Sequence, residues 1–161
     1  MFPFESRFLK SLAIVLMFVT WIPCAQADDE DEGGRRAVVS NAKWQAECGS
    51  CHVAFPARML PAESWRAMMS GLDKHFGTDA SLEPQVAEEI TAFLVQHASK
   101  RKSDPAAKPL LRISEMRWFV REHRRVSEGT WKLVKSPANC AACHTKAESG
   151  RFGEHDIRMP K

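Results

Sequence analysis

No tyrosine occurs among the 161 residues, and no apolar stretch is long enough to cross a bilayer. The longest, from Leu12 to Ile22, is about half of the ~20 residues a membrane helix requires, which argues against a retained anchor. No long basic stripe interleaves with aromatic side chains, so the footprint of a nucleic-acid-binding protein is missing. Strict alternation of apolar and polar residues never persists far enough to build a sheet, which leaves a mainly α chain. Cysteine is also scarce. There are five, and four of them sit in two short motifs.

The first 27 residues read as an export signal. Arg7 and Lys10 precede the apolar run, and Ala25 and Ala27 supply the small residues a signal peptidase recognises, which places cleavage after Ala27. Trp21, Ile22 and Pro23 before Cys24 are a poor lipid-attachment box, so Cys24 is expected to leave with the peptide. The mature product of 134 residues is long enough for one or two small domains. Its 21 basic and 19 acidic side chains are close to balance. An exported chain with four cysteines would by default be a disulfide scaffold.

The spacing opposes that default. "CGSCH" runs from Cys48 to His52 and "CAACH" from Cys140 to His144. Two cysteines separated by two residues and followed at once by histidine form the attachment sequence for c-type haem. The sulfurs of Cys48 and Cys51, or of Cys140 and Cys143, add to the porphyrin's vinyl groups, and His52 or His144 offers an imidazole to the iron. A chance match is on the order of one in a hundred thousand per position on ordinary composition. A zinc ribbon would place its second pair about 15 to 20 residues after the first, whereas 88 residues separate Cys51 from Cys140. A thiol redox site explains neither histidine. Two covalent haems also add large apolar bodies to a chain too short to bury much by itself, and five Trp, nine Phe and seven Met suit such packing.

Residues 28–39 form an acidic, flexible lead-in. An N-terminal haem domain is expected over 40–100, a charged, proline-broken linker over 101–110 and a C-terminal haem domain over 111–161. A helix is expected from near Ser40 through Trp44. A second starts at Pro61 and carries Trp65, Met68, Leu72 and His75 on one face until Gly77. A third runs from Pro84 to Ala98, with Val86, Ile90, Phe93 and Leu94 as its buried stripe. Ser114 is expected to cap a helix bearing Met116, Phe119, Val120 and His123, with Gly129 just past its end. "WKLVKSPAN" reads as extended, and "FGEHDIRMPK" as a tail.

The sixth ligand of each iron decides the task. A methionine raises the potential, a second imidazole leaves it lower, and an open position admits a gas or peroxide. His75 and His123 are favoured because each falls on an apolar helical stripe. His97 competes for the first haem, although its place in a last helical turn also suits a dipole contact. His155 lies in a polar tail. Met68, Met69 and Met116 suit packing, Met59 follows its motif too closely to reach the opposite face, and Met159 is the remaining tail candidate. Arg117, Arg121, Arg124, Arg125, Lys132 and Lys135 cluster near His123, a solvated helix face that could also meet an acidic partner.

Trp44 ahead of CGSCH, "LPAESW", "LDKHFGTDASL", the proline-broken middle, "RWFVREHRR" and "NCAACH" with "IRMP" resemble the dihaem cytochrome c family. The resemblance implies a class I cytochrome c-like N-terminal haem domain and a smaller, irregular C-terminal one. It also implies two covalently bound haem c groups held by His52 with His75 and by His144 with His123. The implied role is electron transfer in the periplasm rather than catalysis. Two haems in a mature chain of 134 residues should also lie close together, so the expected mechanism takes electrons in at one haem and out at the other. The implied partners are redox proteins: an oxygen-binding monohaem cytochrome c of the sphaeroides haem protein type and a b-type membrane cytochrome. Stable membrane insertion of the mature chain is not expected. The alternatives are a small dihaem redox enzyme, which would need more length for a substrate pocket, and a gas or redox sensor with a labile distal ligand such as His155 or Met159.

Overall fold

A computed structural model of the chain describes residues 39–101 and 107–161. The expected signal peptide, nearly all of the acidic lead-in and the centre of the expected linker lie outside the described residues. Five α-helices and several 3-10 turns make up the described fold, and only isolated bridges stand where strands would be. No described helix is long and apolar enough to cross a membrane.

Helix α1 (Ala42–Cys48) begins at Asn41, whose carboxamide oxygen accepts the Trp44 N–H at 2.9 Å. That contact satisfies one of the donors a helix start leaves unpaired. Helix α2 (Ala62–Met69) follows Pro61, and α3 (Pro84–Gln96) opens with proline at its first position. Glu83 caps α3 by accepting the Val86 N–H at 3.1 Å. Trp44, Leu60, Trp65, Ile90, Phe93 and Leu94 from these elements form the buried core. Leu60, Ile90 and Leu94 are at most 1% exposed, and each such burial is worth about 1.5–3 kcal/mol. The Trp65 indole donates to the Ala57 carbonyl at 2.7 Å, so this large side chain is buried without an orphaned donor.

The second half rests partly on that core, because Ile113 and Met116 pack against it. Arg58 reaches across to donate to the Gly150 carbonyl at 3.0 Å. Helix α4 (Arg117–Glu122) and helix α5 (Glu128–Val134) bury Phe119 and Val134.

Three expected elements differ from those observed. Helix α2 stops at Met69, ahead of Ser70 and Gly71, both weaker helix formers than alanine. A 3-10 turn over Leu72–Lys74 then leads to His75, which therefore stands in a loop rather than on a helical stripe. Ser114 lies inside a 3-10 turn, and α4 starts after Met116 without a side-chain cap. Gly129 does not end a helix; it is the second residue of α5, which Ser127 caps by accepting the Thr130 N–H at 3.1 Å. Much of the stretch expected to be extended is thus helical.

The tail is not free either. The Thr145 N–H donates to the Asp156 carbonyl at 2.9 Å, and the Arg158 N–H donates to the Cys143 carbonyl at 2.8 Å. Residues 156–158 are thereby laid along the second motif.

Candidate functional site

Helix α1 delivers the first cysteine pair. Cys48 is its last residue, and Gly49 turns the chain where an added Cβ would lie 2.2 Å from the Gln45 carbonyl oxygen. Glycine is therefore required at that corner. A 3-10 turn over Cys140–Ala142 delivers the second pair, with the His144 N–H closing on the Cys140 carbonyl at 2.8 Å.

Each motif histidine faces a second imidazole from the sequence-distant half of its own region. The ring centroids of His52 and His75 are 6.1 Å apart, and those of His144 and His123 are also 6.1 Å apart. A metal about 2.0–2.1 Å from one nitrogen of each ring, with ring centres roughly 1.1 Å behind those nitrogens, needs centroids about 6.3 Å apart. Both gaps have that width. Among the described residues, no three His, Cys, Asp or Glu side chains converge on a metal position. Each gap offers two imidazoles only, so a metal there needs its remaining donors from another group, as a porphyrin supplies them.

Metal ligation needs neutral imidazoles, and two of the four rings are pushed toward that form. Burial, followed by the neighbouring His52, pushes the His75 pKa down. Burial, followed by His123, does the same to His144. His52 Nδ1 lies 2.8 Å from the Val53 carbonyl and His123 Nδ1 lies 2.9 Å from the Phe119 carbonyl. A neutral ring can bond there only by donating, which leaves Nε2 with its lone pair free for a metal. His75 Nδ1 and His144 Nδ1 are buried without a partner.

All four described cysteines are unpaired. Burial, then the Glu47 carboxylate, pushes the Cys48 thiol up to about 11, and burial raises Cys140. Thiols held neutral in this way are poor nucleophiles for disulfide exchange. A cavity of about 820 Å³ lies between the motifs, walled by Cys51, His52 and Val53 on one side and by Asn139, Cys140 and Ala141 on the other. Its volume falls in the usual range for a cofactor site.

The remaining candidates stand elsewhere. His97 caps the end of α3, where its ring meets Phe93 at 5.2 Å. His155 is exposed in a 3-10 turn of the tail, and Met159 is 52% exposed. Met59 is buried, and Met68, Met69 and Met116 pack on the core.

Several aromatic neighbours of the imidazoles were not singled out as site residues by the sequence. Phe55 stacks on His52 at 4.8 Å, Phe119 on His123 at 3.9 Å, and Phe152 meets His144 edge-on at 5.3 Å. Only Phe119 had a signal, at four residues before His123 on one helical face.

The sequence profile of the family described as dihaem cytochrome c matches residues 44–152. Two solved structures from Rhodobacter sphaeroides are similar. One, a diheme cytochrome c, is 41% identical, with 73% of this chain and 100% of that chain covered and a TM-score of 0.66. The other, a DHC, is 45% identical over 71% and 99%, with a TM-score of 0.64. A diheme cytochrome c from Shewanella baltica is 40% identical, covers 74% and 93%, and has a TM-score of 0.64. No curated protein gives a significant match.

Proposed function

Because the chain belongs to the dihaem cytochrome c family, and so carries two covalently bound haem c groups, we propose that it is a periplasmic electron carrier with two six-coordinate, bis-histidine centres. The observation that carries this reading is the pair of imidazole gaps, each 6.1 Å between centroids, each with a Cys-x-x-Cys tether beside it. Cys48 and Cys51 tether the first group, with His52 and His75 as its axial ligands. Cys140 and Cys143 tether the second, with His144 and His123. Bound haem supplies an iron that changes oxidation state while both axial positions stay filled.

The residues around it serve that end. Val53 and Phe119 fix the tautomers of His52 and His123 through their carbonyls, which keeps those rings oriented. Phe55 and Phe119 pack on the imidazole faces of His52 and His123. Cys51 and Cys140 line one open cleft, so both attachment points face the same space, as handing charge from one centre to the other favours.

Export would be directed by residues 1–27. The partners would be redox proteins, namely an oxygen-binding monohaem cytochrome c of the sphaeroides haem protein type and a b-type membrane cytochrome. The basic side chains Arg117, Arg124, Arg125, Lys132 and Lys135 near His123 are exposed, as a docking face would require.

The test is the resting, oxidised holoprotein. Two haems per chain, two low-spin centres by electron paramagnetic resonance, and two electrons taken up in a reductive titration are expected. A high-spin signal at rest would overturn the six-coordinate reading.

A further inference from the structure

The four imidazoles facing the two gaps are held very unequally. His52 and His144 each follow a cysteine tether directly, so neither can move far from its metal. His123 has no tether, but it is gripped on several sides. Its N–H donates to the Phe119 carbonyl at 3.0 Å, its Nδ1 bonds the same carbonyl at 2.9 Å, and its ring stacks on Phe119 at 3.9 Å with Trp131 6.1 Å away.

His75 is held less: its N–H donates to the Leu72 carbonyl at 3.3 Å, but its ring has neither a hydrogen bond nor a close stacking partner. Its Nδ1 is buried without a partner, and its aromatic neighbours among the described residues are His52 and, edge-on at 5.0 Å, Phe76. It sits in a small closed loop, in which the Thr78 N–H donates to the His75 carbonyl at 3.0 Å and the Ala80 N–H to the Leu72 carbonyl at 2.9 Å. These bonds are internal to the loop and do not tie His75 to the rest of the protein.

The next two residues are in the left-handed region, with Phe76 at φ 49° and Gly77 at φ 96°. Glycine takes that conformation freely, whereas a bulky aromatic residue does so at a cost that neighbouring contacts must offset. One such contact comes from the other half of the chain: the Arg112 guanidinium lies 4.1 Å from the Phe76 ring centre. Arg112 is itself steadied by Glu115, at 3.6 Å. Phe76 is otherwise 46% exposed.

We propose that His75 is the one coordination position of the four that yields to an exogenous ligand, making the first centre a conditional site for a small neutral diatomic of the carbon monoxide class. Arg112, acting through Phe76, is the positioning residue that keeps it closed. This rests on the bis-histidine reading above, and it locates the labile ligand in the loop after α2 rather than in the C-terminal tail.

The test is the reduced holoprotein exposed to carbon monoxide, followed by its visible spectrum. His75→Ala and His123→Ala supply the reference spectra for an open first and an open second centre. Carbon monoxide is expected to give the His75→Ala spectrum first. Its binding should be about 2- to 5-fold faster in Arg112→Ala, the factor an exposed cation–π contact is worth, and restored by Arg112→Lys, while Arg117→Ala matches the parent. Binding first at the centre opened by His123→Ala, equal rates in Arg112→Ala and the parent, or no binding in either would overturn the proposal. A parent without two low-spin centres before gas is added would instead remove the underlying ligation, so the two failures are distinguishable.

Discussion

The imidazole planes of His123 and His144 cross at 70° across a centroid separation of 6.1 Å. Those of His52 and His75 cross at only 23° across the same separation. Near-parallel axial rings lift the degeneracy of the iron orbitals with which they overlap, whereas crossed rings leave those orbitals nearly degenerate. With these pairs as axial ligands, the oxidised protein should show two different low-spin signals, a rhombic one from the first centre and a strongly anisotropic one from the second. His123→Ala should abolish the anisotropic signal alone. Two identical rhombic signals in the parent would contradict the observed ring geometry.

The two tethers are separable. Replacing Cys140 and Cys143 together by alanine should leave one covalent haem per chain, visible as the loss of one haem mass and half the haemochrome absorbance. The first centre should keep its spectrum, because Cys48, Cys51, His52 and His75 all belong to the first half. Loss of both haems would show that the two sites assemble as a unit.

The core should respond to truncation independently of ligation. Ile90 is fully buried, and Ile90→Ala should cost about 2–5 kcal/mol from lost transfer energy and the cavity left behind. Trp65→Phe keeps most of the ring but orphans the Ala57 carbonyl, a loss of about 1–3 kcal/mol. Guanidinium unfolding of the holoprotein, followed by far-ultraviolet circular dichroism, measures both.

Asp79 sets a small acid dependence in the loop that bears His75. Its side chain accepts the Ser81 N–H at 2.9 Å, and hydrogen bonds to Ser81 hold its pKa below the ordinary carboxylate value. A carboxylate depressed on folding contributes stability above its unfolded pKa and loses it as pH falls through the folded value. Asp79→Asn keeps an acceptor oxygen without the titration. The stability difference between parent and variant should therefore shrink toward the acid end and stay flat above it. A difference independent of pH would exclude this role.

The histidine loop shows where sequence patterns stop being informative. Trp65, Met68, Leu72 and His75 fit one continuous helical stripe, yet the helix ends at Met69. Propensity differences at Ser70 and Gly71 amount to under about 1 kcal/mol each, so contacts distant in sequence decide the outcome. The same holds for α5, where a local cap at Ser127 outweighs Gly129 in the first turn. By contrast, α3 was legible almost to the residue, because proline at its start and three buried apolar positions all favour the same helix.

Local sequence by itself specified the two Cys-x-x-Cys-His motifs, the lack of strand patterning and the buried stripe of α3, since each depends on spacing within a few residues. Tertiary structure alone decided the rest. It brought His75 to His52 and His123 to His144, turned one pair of rings nearly parallel and the other nearly perpendicular, folded the tail onto the second motif, and set Arg112 over Phe76. These features depend on where separate segments meet, and that is determined by packing summed over the whole core rather than by periodicity within any one segment.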